Sequence, residues 1–370
     1  MIRTTHMEVF NLRDFEDVAR EKLDPVFYDY FASGAQDEVT LAANEAAFRR
    51  LALVPRILRG HGPPRLAGSV LGCESSMPVL LAPTAFHRLA WPSEGEAATA
   101  RAAREAGVIM IAAMLSTITI EEIAVAGGTQ WFQLYIQPDL GFTESLVRRA
   151  EAAGCRALVV TVDSPALGRN ERGDRNDFHD LPPGIYCANM RGTGRSDGQN
   201  AGHGAGSDAG RNDGHVRQVR LSPEISWKHV EWLRGVTRLP ILLKGVLHPA
   251  DAVQAVASGV DGLIVSNHGG RQLDTTPATI DRLPVIADAV GGQVPLLLDG
   301  GVRRGTDVVK ALALGASAVA LGRPVLWGLA SGGSDGVAQV LSLLRRELEN
   351  ALTLCGADSP GALTKDQVVG

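Results

Sequence analysis

Short apolar runs recur along most of the chain, each ending in a polar or glycine-rich tip and leading into a helical stretch. They span residues 78–82, 108–111, 131–134, 157–162, 241–243, 262–265, 295–298 and 318–321. Runs this short and this uniformly apolar read as strands buried on both faces. Amphipathic stretches lie between most of them, such as 94–106, 144–153 and 250–258. Eight strand–helix units predict an α/β fold, a single (β/α)8 TIM barrel. A doubly wound open sheet is the alternative. It is favoured by a G-x-G-x-x-G turn after the first strand, and none stands there.

Ahead of the first run, residues 8–50 read as helices. Leu12, Phe15, Val18 and Ala19 recur at helical spacing, as do Val26, Phe27, Tyr30 and Phe31. Residues 1–60 are therefore expected to form a helical extension of one domain covering 1–370. One stretch breaks the pattern. Residues 189–216 are nearly all Gly, Ser, Asn, Asp, Arg and His. They carry too little apolar surface to order themselves and read as a mobile loop between strands four and five.

Composition narrows the function classes. The 370 residues are 45% hydrophobic and 21% charged, which excludes a disordered or collagen-like chain. A net charge of -5 argues against a nucleic-acid partner. No apolar run approaches the ~18 residues needed to cross a bilayer, so no membrane partner is expected. Cys73, Cys155, Cys187 and Cys355 are scattered without metal-ligand or redox spacing, so no metal site is expected. The first residues lack the apolar core of a signal peptide, which makes a reduced, cytoplasmic protein the expectation.

Candidate chemistry sits at the strand ends, where barrels of this kind carry their sites. Strand one is followed by Pro83-Thr84-Ala85, and strand two by Ala113-Met114. Strands three and four end in Gln133-Leu134-Tyr135 and Thr161-Val162-Asp163, and strand five gives Lys244-Gly245. Strand six gives Ser266-Asn267-His268-Gly269-Gly270-Arg271, strand seven Asp299-Gly300-Gly301-Val302-Arg303, and strand eight Gly322-Arg323. A lone histidine is more often structural than catalytic. His268 differs because two glycines and an arginine follow it at a strand end, and Asp163 at another end can orient it. The Asp-Gly-Gly of strand seven, with Gly322-Arg323 of strand eight, reads as a phosphate site. Lys244 inside the rim reads as an anion stabiliser.

These residues carry a resemblance. YDYFASGAQDE, LAPTA, FQLY, TVD, LLKGV, SNHGGRQLD, LDGGVRRGTDV and LGRP run from about residue 10 to about residue 355. Together they resemble the FMN-dependent α-hydroxy acid oxidases and dehydrogenases. The resemblance implies FMN as cofactor and oxidation of a small 2-hydroxy acid to the 2-oxo acid; with no cytochrome domain and no membrane segment in the sequence, O2 is the expected acceptor and H2O2 the product. It implies a homotetramer. By position, His268 matches the catalytic base, Asp163 its paired carboxylate, and Tyr135 the tyrosine near the substrate hydroxyl. Arg271 and Tyr30 match the residues that hold the substrate carboxylate. Thr84 and Ala85 match the backbone facing flavin N5. Gln133, Thr161, Lys244 and Ser266 match ring contacts. Asp299, Gly301, Arg303, Gly322 and Arg323 match the ribityl and phosphate loops.

The chain also departs from the family pattern. Asn170 stands where the family has a second active-site arginine, and Ala113 where related chains often carry a hydroxyl residue. Leu115 stands where plant-type glycolate oxidases have tryptophan. A leucine there, with Phe86 and Met114 as apolar neighbours, implies a wide pocket and a bulky or aryl, mandelate-like substrate. Two other readings compete: another FMN- or phosphate-binding barrel enzyme, and a flavin-binding protein whose activity is altered by Asn170.

Overall fold

The structure, a computed structural model, describes residues 8–60, 62–190 and 219–370. Three helices come first: α1 (Asp14–Lys22), α2 (Pro25–Ala32) and α3 (Val39–Arg50). Helix α2 starts where its sequence directs. The Asp24 carboxylate accepts from Val26 N, and Pro25 takes the first helical position, where a missing N–H costs nothing.

Eight parallel strands then close a barrel: β1 (Val79–Leu81), β2 (Met110–Ala113), β3 (Gln130–Leu134), β4 (Leu158–Thr161), β5 (Ile241–Val246), β6 (Gly262–Val265), β7 (Leu296–Asp299) and β8 (Ala318–Leu321). The predicted (β/α)8 architecture is the observed one, and a helix follows every strand. Period-two alternation sorts each strand between two cores. Leu80, Ile111, Trp131, Val159, Leu242, Ile264, Leu297 and Ala320 fill the barrel interior. Their neighbours Leu81, Ala112, Phe132, Leu158, Leu243, Val265, Leu298 and Val319 face the surrounding helices. The hairpin of Gly68–Val70 and Cys73–Ser75 closes the lower mouth, and Trp131 donates its indole N–H to Cys73 Sγ at 3.5 Å.

The same alternation decides what emerges at the other mouth. Two residues past the apolar layer, the inward positions become Ala113, Gln133, Thr161, Lys244, Ser266, Asp299 and Gly322. An apolar plug thus carries a polar floor.

Element bounds shift from the sequence reading where capping decides them. One helix begins at Leu140 rather than 144, because Asp139 accepts from Phe142 N at 2.9 Å. A short helix, Glu171–Arg175, was not anticipated. The loop expected over 189–216 is corrected at its start. Asn189 and Met190 are buried in a turn of 3-10 helix, and the Asn189 side chain accepts from Ile120 N and donates to Met114 O. The rest of that stretch lies outside the described residues. Ala52–Leu53, just after α3, pairs antiparallel with Val368–Val369 at the C-terminal end. Among the described residues no helix is long and apolar enough to cross a membrane.

Helix α3 lies against the loop after β7. Gly301 has φ +83°, and a Cβ there would stand 2.2 Å from Asn44 O. Left-handed strain and a clash with backbone then add. Gly301→Ala is expected to lower the unfolding free energy by about 2–4 kcal/mol, read by denaturant unfolding of the cofactor-free protein. A variant as stable as the wild type contradicts this packing.

Candidate active site

The polar floor consists of two hydrogen-bonded groups. Gln133 donates to Thr161 Oγ1 at 3.0 Å, and its carbonyl accepts from Met114 N. Lys244 Nζ reaches Ser266 Oγ at 3.0 Å and Asp299 Oδ2 at 3.2 Å. The second Asp299 oxygen, Oδ1, is buried without a partner in the described structure. A buried acceptor left open in this way calls for a donor from outside the protein.

Above Ser266 the chain turns sharply. His268 has φ +58°, an uncommon conformation for a residue with a Cβ, and its N–H is held by Ser266 Oγ at 3.1 Å. Asn267 underneath forms a reciprocal amide pair with Asn44 of α3, at 2.9 and 2.8 Å. This turn directs the His268 ring at Asp163, with Nδ1 and Oδ1 2.9 Å apart. Burial pushes the Asp163 carboxyl up. The charge and hydrogen bond of His268, then Lys244 and Ser164, outweigh it and hold Asp163 below the usual carboxylate range. The pairing occupies Nδ1, so Nε2 is the nitrogen that can take a proton.

Arg271 and Arg323 converge on the C-terminal end of α2. Arg271 Nη1 donates to the carbonyls of Tyr30 and Ser33 at 2.8 and 2.9 Å. Its guanidinium lies 5.1 Å from the Tyr30 ring centre. Arg323 donates to the carbonyls of Phe31, Ser33 and Gly269. Removal from water, followed by repulsion from Arg271 and Arg303, pushes the Arg323 guanidinium down to about 9. Arg303 is buried and pairs with Glu45 of α3 at 3.1 Å. Among the described residues Arg323 and Arg271 donate to carbonyls and to no carboxylate, which is the electrostatic shape of an anion site.

Tyr135 and Tyr30 face this centre. Burial pushes both phenols up; the Asp163 charge adds to the rise at Tyr135, while Arg271 opposes it at Tyr30. Phe86 touches the Tyr30 ring at 5.7 Å and donates its N–H to Leu115 O. Thr84 sits beside Gly322, and Ala85 is half-buried next to it.

Three contributors escaped the sequence reading. Phe178 packs edge-on to Tyr30 at 5.3 Å. Its signal was a lone aromatic in an otherwise polar run. Asn44 lies on a helix far ahead in the chain, and His87 bonds Thr84 at 2.7 Å. Asn170 acts locally, where its side chain caps the helix Glu171–Arg175 by accepting from Gly173 N at 3.1 Å. Its neighbour Arg169 pairs with Asp174 at 3.6 Å, and Arg172 pairs with Glu38 and Asp29.

Comparison with known proteins agrees with this geometry. The family described as FMN-dependent dehydrogenase matches residues 19–369. The L-lactate oxidase of Nostoc sp. is 48% identical over 94% of each chain. Glycolate oxidase 1 of Oryza sativa subsp. indica is 45% identical over 98% of this chain and 96% of its own. A crystallised mandelate oxidase variant with (S)-mandelic acid superposes with a TM-score of 0.87 at 42% identity, over 97% of this chain and 98% of that one. A conserved fold, an anion-hungry rim and relatives at this identity converge: the chain belongs to the FMN-dependent dehydrogenase family, and its cofactor is FMN.

Proposed function

We propose that this chain oxidises a bulky or aryl 2-hydroxy acid to the 2-oxo acid, with O2 as the final acceptor. The observation that carries the reading is the His268–Asp163 pair, set beside Arg271 on one rim. Arg271, with Tyr30, grips the substrate carboxylate through charge-assisted hydrogen bonds. His268 Nε2 takes the proton of the α-hydroxyl, and Asp163 stabilises the imidazolium that results. Tyr135 contacts the hydroxyl.

The donor set suits FMN. The open Asp299 Oδ1 can accept from a ribityl hydroxyl. Gly301, Arg303, Gly322 and Arg323 can hold the phosphate. Thr84, Ala85, Gln133, Thr161 and Ser266 can line the ring, and Lys244 can offset negative charge there. FMN, when bound, would take up the two electrons together with the hydrogen lost from the α-carbon.

Several observations support the substrate class. Tyr30, Phe86 and Phe178 form an aromatic wall, and Leu115 leaves more room than an indole. An extra phenyl burying ~100 Å² contributes about 2–3 kcal/mol, or one to two decades in specificity. Mandelate oxidase among the structural neighbours fits this reading, while the lactate and glycolate oxidases among the relatives keep small acids as the alternative.

Three outcomes test the proposal. His268→Ala should keep FMN yet reduce it anaerobically ~10²-fold more slowly or worse; reduction near the wild-type rate overturns the base. Arg323→Ala should lose FMN on dialysis, because a charge-assisted phosphate contact goes. Normal retention with only a changed substrate constant reverses its role. A panel of glycolate, lactate and both mandelate enantiomers, with admission of air and an H2O2 assay, should show mandelate favoured over glycolate by about tenfold or more. Leu115→Trp should move the preference toward small acids. A clear preference for glycolate rejects the wide pocket.

A further inference from the structure

His87 is a buried titratable group with no part in the proposed chemistry. It is 2% exposed and opens the short helix His87–Ala90. Both ring nitrogens are engaged. Nε2 lies 2.7 Å from Thr84 Oγ1, and Nδ1 lies 2.9 Å from Thr99 Oγ1. Thr99 belongs to the helix Glu96–Ala106, which packs behind the rim. Burial lowers the pKa of His87, so the ring is neutral, with one N–H and one lone pair. Two hydroxyls, each able to donate or accept, satisfy such a ring in either tautomer.

The backbone around this ring is equally constrained. Phe86, immediately before it, has φ +62°, a conformation that persists in a residue with a Cβ only when its surroundings hold it. His87 N donates to Glu96 Oε1 at 3.1 Å. Glu96 is fully buried and also accepts from the backbone N–H and hydroxyl of Thr117, in the turn after β2. One node therefore ties the turns after β1 and β2 to the helix Glu96–Ala106.

We propose that His87 is a positioning residue for the flavin: it fixes the Thr84 hydroxyl, and with it the turn 84–86, against the ring. The inference rests on the reading that Thr84 and Ala85 line the flavin. Its consequence is electronic. The Thr84 hydroxyl is taken up by His87, so what this anchor holds against the ring is the backbone of residues 84–85. Backbone dipoles held in one place stabilise the oxidised and reduced forms unequally, so loosening them shifts the balance between the two.

The test uses FMN-loaded protein and reads the two-electron midpoint potential by dye equilibration, with FMN retention on dialysis as a second readout. In His87→Gln the carboxamide reaches as far as Nε2 and keeps the Thr84 contact. In His87→Asn it reaches only as far as Nδ1, keeps Thr99 and drops Thr84. Thr84→Val removes the hydroxyl itself. His87→Asn and Thr84→Val should each change the ratio of oxidised to reduced affinity by about tenfold, which is about 30 mV for a two-electron couple. His87→Gln should stay within about twofold of the wild type. If Thr84→Val shifts the potential but His87→Asn does not, the role of His87 falls while the reading of Thr84 stands. If His87→Gln shifts as far as His87→Asn, the Thr84 contact is not what matters and the proposal also falls. If Thr84→Val leaves the potential unmoved, the placement of Thr84 against the flavin is wrong, and the inference goes with it.

Discussion

Two guanidiniums share the C-terminal end of one short helix, and the arrangement of the rim follows from that. The last carbonyls of α2 have no partners within the helix and lie at its negative pole. The carbonyls of Tyr30, Phe31 and Ser33 accept from Arg271 and Arg323. Carbonyl dipoles orient two cations but do not neutralise them. Arg271 also repels Arg323, and Arg303 adds to that repulsion. Among the described residues neither guanidinium has a carboxylate in hydrogen-bond contact, and Glu16 and Glu38 offset only part of the Arg323 charge from a distance. Such a rim favours anionic ligands, and the phosphate of FMN is one.

The N-terminal helices do more than cover the barrel. Asn44 of α3 pairs with Asn267 under the turn at His268, while its backbone carbonyl abuts Gly301 in the loop after β7. Asp274, just beyond Arg271, accepts from Val39 N and Thr40 N at the start of the same helix. The left-handed conformation at His268 is thus held from below by a buried amide pair and from the side by a helix terminus. Strain of this kind persists only where neighbours over-determine it. Here it aims an imidazole at Asp163 rather than along the strand.

Much of this was legible in the sequence because barrel strands impose a strict period. Once eight apolar runs are recognised, alternation alone fixes Gln133, Thr161, Lys244, Ser266 and Asp299 on the inner face. What the sequence concealed was contact made across long separations. Asn44 and Asn267 stand 223 residues apart. His87 looks like an ordinary helix residue until Thr84 and Thr99 close on its ring. Phe178 follows a helix of five residues, too short for its N-cap Asn170 and its Glu171–Arg175 pair to stand out in a polar run. That capping role also gives Asn170 a structural occupation: its side chain serves a helix end, and Arg271 is the guanidinium that follows His268 in the same turn.

The account turns on Arg271 being held by α2 to meet a carboxylate. The direct measurement is the rate of anaerobic flavin reduction by a 2-hydroxy acid and by its neutral 2-hydroxy amide, in the wild type and in Arg271→Met. The wild type should favour the acid. In the variant that preference should shrink by about ten- to a hundredfold, because only the acid loses a charge-assisted partner worth ~1.5–3 kcal/mol. An acid preference unchanged by Arg271→Met would contradict the account.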